Sequence, residues 1–151
     1  MPRFVIADAS VLIILDKIDQ LELLRNVYKE IFTTPEISKE FGKSLPNWIK
    51  IESPADIKNQ RIIELHVDRG EASAIALAME FEHSLLILDD LKARKLAKML
   101  GLSFTGTLGV INKAKSLGFV IEIRPILEKL RTSGFRISEN VVDALLKKNN
   151  E

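Results

Sequence analysis

The 151-residue chain has no cysteine. No disulfide framework and no thiolate metal site can therefore exist, which agrees with a reducing, cytoplasmic setting. Only two histidines are present, His66 and His83, and alone they lack the companions a zinc site needs. Aromatic residues make up 6%, too few to suggest a base-stacking platform. Trp48 and Tyr28 are expected to serve packing. Net charge is only +1, so a nucleic-acid partner is neither demanded nor excluded, and binding one would require a local basic face. No apolar run is long enough to span a bilayer. The N-terminal stretch carries one Arg and runs straight into a strand-like segment, without a signal-peptide layout. Also missing are a Walker loop, a Gly-rich dinucleotide fingerprint, and any Ser–His–Asp or Cys–His arrangement. Those absences remove the common nucleotide-binding and covalent-hydrolase classes.

What is present is an ordinary globular composition, 46% hydrophobic and 28% charged. No repeat, low-complexity tract or linker divides it, so residues 1–151 read as one domain, long enough to bury a core. "RFVIAD", "EIFTT", "WIKIES", "SLLILD" and "LSFTG" read as strands. Between them, "ASVLIILDKI", "DQLELLRNVYK", "TPEISKEFG", "ADIKNQRIIELHV", "RGEASAIALAMEF", "DLKARKLAKMLG" and "TLGVINKAKSLG" have helical spacing. Asp19 is expected to cap the second helix. Thr34, Pro35 and Gly42 mark the start and stop of the third. Two further helices, "RPILEKLRTSG" and "SENVVDALLKKN", form an extension from about residue 125. Strands and helices alternate, and the best strands are continuous apolar runs. That pattern predicts an α/β fold with a parallel central sheet sandwiched by helices.

In such a sheet, sites form at the carboxyl ends of strands. Asp8 ends one apolar run, and the pair Asp89 and Asp90 ends another. Glu40 borders the inward side of its helix. Glu71 opens a helix rich in Ala and Ser, whose small side chains permit a close approach to the sheet. If these acids converge, their mutual repulsion disfavours ionisation. A hard divalent cation such as Mg²⁺ would relieve it, and could bind a phosphate oxygen and activate water. Each acid also has an ordinary explanation. Asp8 could be a loop or cap residue, and Glu40 a solvated helix residue. Asp68-Arg-Gly-Glu71 has capping-box spacing. One member of the Asp89/Asp90 pair could cap the next helix while the other coordinates.

The segments "FVIADASVLI", "TPEISKEFG", "GEASAIALA" and "LLILDDLKARKLAKMLG" together resemble the PIN-domain nucleases. The likeness is nearest to VapC-like toxins and related small prokaryotic PIN proteins, and covers roughly residues 3 to 120. It implies a three-layer α/β/α fold and cleavage of RNA phosphodiesters dependent on Mg²⁺ or Mn²⁺. The implied metal-binding and catalytic acids are Asp8, Glu40, Glu71 (where the family more usually has Asp) and Asp89 or Asp90. Ser10 is the implied nearby hydroxyl. A small antitoxin and a homodimer are implied as partners. The surplus of apolar residues in "SVLIILDKIDQLELL" could supply the dimer face. Lys92, Arg94, Lys95 and Lys98 offer a basic helix side opposite Ala93, Leu96, Ala97 and Leu100. Arg94 is the best candidate substrate contact there, unless that side is simply solvated. Thr107 either touches the substrate or is an N-cap. Two other classes fit less well: an inactive PIN module that binds RNA or protein, and a phosphoacceptor receiver domain. The acidic pair comes late in the chain for a receiver, and a following strand-end Asp and Lys are missing.

Overall fold

The computed structural model describes residues 3–151. Five strands form one sheet: β1 (Phe4–Ala7), β2 (Ile31–Thr33), β3 (Ile49–Ile51), β4 (Ser84–Ile87) and β5 (Ser103–Thr105). Their order is β3-β2-β1-β4-β5, and every pairing is parallel. Nine helices flank the sheet among the described residues. They are α1 (Ala9–Lys17), α2 (Glu22–Tyr28), α3 (Pro35–Phe41), α4 (Ile57–Ile63), α5 (Arg69–Ala78), α6 (Leu91–Met99), α7 (Thr107–Ser116), α8 (Arg124–Thr132) and α9 (Glu139–Lys148). This is the expected three-layer α/β/α arrangement. A parallel sheet must be covered on both faces, which is why its strands are continuous apolar runs. All four residues of β4 are buried.

The core is one contiguous cluster centred on β1, β4, α1 and α5. Helix α5 enters it with Ala72, Ala74, Ala76 and Ala78, all essentially without solvent contact. Small side chains there let the helix axis lie close to the sheet. The extension joins the same cluster through Ile126, Leu127 and Leu130 of α8 and Leu146 of α9. Glu151 closes it: its carboxylate accepts from the Ile123 amide at 2.8 Å, the Arg124 amide at 3.2 Å and Lys115 Nζ at 2.9 Å. Those two amides lie at the start of α8, where no helical partner exists for them.

Several local expectations need correction. Asp19 caps nothing: α2 follows Leu21 without a side-chain cap. Asp19 instead takes the left-handed conformation, with φ 57°, which a short polar side chain tolerates. Leu100 lies outside the buried face of α6, which packs through Ala93 and Ala97. Thr107 is the first residue of α7, and Gly106 holds the cap position. The apolar surplus of α1 is mostly consumed internally, since Val11, Leu12 and Leu15 are buried and Ile13 is the exposed one. Thr34 does cap α3, accepting from the Ile37 amide, and Gly42 ends it at φ 83°.

The topology decides where a site can form. From β1 the chain moves outward to β2 and β3, then returns to place β4 on β1's other side. The crevice between β1 and β4 is thus the switch point of the sheet. Ala7 pairs with Ile87, and the Asp8 amide donates to the Ile87 carbonyl at 2.9 Å. Asp8 and the Asp89/Asp90 pair therefore leave neighbouring strands at the same edge.

Candidate active site

Asp8 is 4% exposed. It stands in the cap position of α1, yet its side chain caps no amide of the first turn beyond Ala9. The Ser10 hydroxyl donates to its Oδ2 at 3.4 Å. Burial pushes the Asp8 carboxyl up to about 6. The charges of Asp68 and Glu40 add to that rise, while the Ala9 amide and Ser10 oppose it.

Glu71 opens α5 in a reciprocal capping box with Asp68. The Glu71 amide donates to Asp68 Oδ1 at 2.8 Å, and the Asp68 amide donates to Glu71 Oε1 at 3.3 Å. Partial burial and the charges of Asp68, Asp90 and Asp8 push the Glu71 carboxyl up to about 7. Glu40 comes from α3 and is raised as well, by desolvation and then by Asp68. Gly70 makes its approach possible. A Cβ there would stand 3.2 Å from Glu40 Oε1 and 3.7 Å from Asp68 Oδ1, so the missing side chain is the space that these two carboxylates share.

A buried hydroxyl network sets α3 against α5. Thr34 Oγ1 and Ser73 Oγ lie 2.6 Å apart, and Ser73 donates to the Gly70 carbonyl at 2.6 Å. Ser73 has one proton, so Thr34 is the donor between the two hydroxyls while accepting from Ile37. Thr33 donates to the Ala7 carbonyl at 3.0 Å. The chain segments carrying Asp8, Glu40 and Glu71 are thereby tied together by neutral hydrogen bonds.

The paired aspartates diverge. Asp89 accepts twice from Thr107, from its amide at 2.9 Å and its hydroxyl at 2.6 Å. Arg94 Nη2 lies 3.8 Å from Asp89 Oδ1. Asp90 caps α6 by accepting from the Ala93 amide at 2.9 Å, and its charge is felt at Glu71. Arg94 does not reach outward with the exposed Lys92, Lys95 and Lys98. Its Nε donates to the Leu88 carbonyl at 2.8 Å, and its guanidinium lies 5.3 Å from the Phe104 ring centroid. Thr107 is fully buried, so its hydroxyl anchors Asp89 rather than facing solvent. Gly106 belongs to the same arrangement: a Cβ there would collide with Arg94 and Asp89.

Five acids, Asp8, Glu40, Asp68, Glu71 and Asp90, thus share one field at the switch point. Asp68 was legible in the sequence only as a cap. No set of three His, Asp or Glu among the described residues is already arranged as a closed ligand group. The donors nevertheless fit a hard cation. All are carboxylate oxygens, the absence of a side chain at Gly70 lets Glu40 approach Asp68, and Mg²⁺ needs only one or two carboxylates because it keeps several waters. No helix among the described residues is long and apolar enough to cross a membrane. Compared with known families, residues 4–151 match the model of a family described as PIN domain. No curated protein matches the chain.

Proposed function

The chain belongs to the PIN-domain family, and we propose that it is a metal-dependent endoribonuclease, the toxin of a cytoplasmic toxin–antitoxin pair. PIN domains are generally nucleases and typically use divalent metals. The observation that carries the proposal is the gathering of Asp8, Glu40, Asp68, Glu71 and Asp90 at one sheet edge, where Asp8 is raised to about 6 and Glu71 to about 7. Carboxylates whose ionisation is disfavoured first by burial and then by neighbouring negative charges are poised to be neutralised by a cation.

In this reading Asp8, Glu71 and Asp90 hold Mg²⁺ or Mn²⁺, with Glu40 and Asp68 around them. When bound, the ion supplies Lewis-acid stabilisation of the phosphate and a more acidic water. Asp89 is not a ligand in this assignment, because Thr107 and Arg94 already satisfy it. Ser10 orients Asp8. The exposed Lys92, Lys95 and Lys98 attract the RNA backbone. No side chain acts as a nucleophile. The test is cleavage of single-stranded RNA with Mg²⁺ or Mn²⁺, abolished by EDTA and by Asp8→Asn.

One observation favours a second reading, an inactive module that binds RNA or protein: no three carboxylates form a ready ligand group among the described residues. RNA binding without cleavage in any divalent metal would support it. The receiver-type alternative gives way to the family assignment. A homodimer and an antitoxin complete the toxin proposal, and both rest on the family resemblance. Helix α1 lends the dimer little, with Ile13 its main exposed apolar side chain. A monomer mass by light scattering would remove the dimer. If the neighbouring gene's product fails to bind or inhibit, the toxin role is removed while the nuclease stands.

A further inference from the structure

Beside the acidic edge lies a second feature that the carboxylates do not explain. A cleft of about 730 Å³ is bordered by Asp89 and Asp90 on one side and by Phe104, Phe135 and Arg136 elsewhere, with Arg94 in its wall. The volume is that of a small-ligand site. Its lining comes from separate parts of the chain. Phe104 is on β5, Arg94 is on α6, and Phe135 and Arg136 lie in the connection between α8 and α9. Phe104 and Phe135 are both only half-buried. Neither is stacked on another aromatic ring among the described residues, though one face of Phe104 has the Arg94 guanidinium 5.3 Å from its centroid, which leaves Phe135 the more open ring. Arg136 is exposed and enters none of the ion pairs among the described residues. Arg94, by contrast, is held by Leu88 and Asp89.

We propose that this cleft seats one unpaired nucleotide of the RNA, its base against Phe104 and Phe135 and its phosphate at Arg136. Half-buried rings offer a π-face that any base can stack on, and single-stranded nucleic acids are held by such rings together with cations. A free guanidinium at the rim pairs with a phosphate in a planar, two-pronged manner. The border with Asp89 and Asp90 puts this nucleotide next to the proposed cleavage centre. A purely apolar guest would leave Arg136 without a role. The low aromatic content of the whole chain hid the feature, because these two rings are 31 positions apart in sequence and line one cleft only in the fold.

The inference rests on the nuclease reading, and one set of measurements separates the two. The probes are fluorescein-labelled single-stranded RNAs of about seven nucleotides, intact or with one abasic position. Binding is read by anisotropy in EDTA, and cleavage separately in Mg²⁺. The variants are Phe135→Leu, which keeps the apolar volume packed on the core, and Arg136→Gln. With wild-type protein, one abasic position weakens binding by roughly tenfold or more, as loss of a stacked base does. Phe135→Leu weakens intact RNA by a similar factor and abolishes the discrimination at that position, which a merely structural role would leave intact. Arg136→Gln makes the slope of log affinity against log salt shallower by about 0.7, one single-strand phosphate contact. If wild type cleaves RNA but Phe135→Leu retains full abasic discrimination, or no abasic position matters, the cleft assignment is overturned and the nuclease stands. If the discrimination disappears as expected but no metal supports cleavage, the cleft stands and the nuclease reading falls. If wild type neither binds nor cleaves any RNA, both are overturned.

Discussion

Replacing Asp8 by Asn is the most direct perturbation of the acidic edge, because the shapes match and only the charge differs. In the folded chain Asp8 titrates near 6 instead of 3.8. At 1.36 kcal/mol per unit, keeping it ionised costs the metal-free protein about 3 kcal/mol. The sign follows from linkage. The folded state holds the proton more tightly than the unfolded state, so the cost is absent below pH ~4, grows through the interval to pH ~6 and is complete above it. Asn escapes that cost but accepts more weakly from the Ala9 amide and Ser10, a loss of roughly 1–2 kcal/mol. The net gain at pH 8 is therefore on the order of 1–2 kcal/mol, or about 2–8 °C in melting temperature for a chain of this size. At pH 5 only about half of the cost is present, so the advantage shrinks to about zero. Thermal melts of both proteins in EDTA at the two pH values measure this. RNA cleavage in Mg²⁺ is expected to fall to background in the same variant. If Asp8→Asn melts at or below wild type at pH 8, the carboxylate is not under strain and the argument for a cation there collapses. Undiminished cleavage would remove Asp8 from the catalytic site.

Mg²⁺ or Mn²⁺ should raise the wild-type melting temperature, with about 2.7 kcal/mol expected at one hundred times the dissociation constant. It should scarcely move Asp8→Asn/Glu71→Gln, in which Gln can still complete the capping box; equal shifts in both proteins would deny a specific carboxylate site. Thr107→Val should cost about 1–3 kcal/mol, because a buried hydroxyl that Asp89 accepts from is lost, and Thr107→Ser should recover most of it in a urea melt. Wild-type stability of the Val variant would mean that Asp89 is not anchored as described. Glu151→Gln should destabilise the chain at neutral pH: desolvation is the largest single influence on the Glu151 carboxyl and raises it, but the Ile123 amide, Lys115 and the Arg124 amide together outweigh it and hold the carboxyl below its usual range. That contribution exists above the unfolded pKa and is lost as pH falls through the lower folded value, so the two melting curves should converge in acid. Curves that stay parallel would assign the effect to packing alone.

How much of this could be read in advance depended on the range of the interaction responsible. Strands such as "FVIA" and "SLLI" announced themselves because burial on both faces requires unbroken apolar runs. Thr34, Pro35 and Gly42 bounded α3 because capping is decided within a few residues. Asp19 misled because its αL turn and a cap draw on the same short polar side chain, and the surrounding loop decided between them. Asp68 was recognisable as half of a capping box but not as a neighbour of Glu40. That neighbourhood depends on Gly70 packing across from α3, a contact between segments about 30 positions apart. Leu100 fell outside the buried face because α6 packs through Ala93, Leu96 and Ala97, and Leu100 stands at its C-cap, beyond the last helical residue.

The doubled aspartate at the end of β4 is the case in which local sequence had least to say, and the structure gives it a physical account. Two adjacent carboxylates on an extended segment point in different directions, so they need not share one environment. Asp89 turns to Thr107 and Arg94 and receives two hydrogen bonds and a cation. Its oxygens are thus already engaged by protein donors. Asp90 turns the other way, with a single capping bond to Ala93, and contributes its charge to Glu71. One carboxylate therefore fixes the start of α7 and holds Arg94 in place, and the other is left with spare lone pairs at the switch point. Exchanging the two roles would require moving both Thr107 and Arg94. Asp89→Asn should thus act chiefly on stability and Asp90→Asn chiefly on metal binding, and the reverse pattern would show that the pair has been assigned the wrong way round.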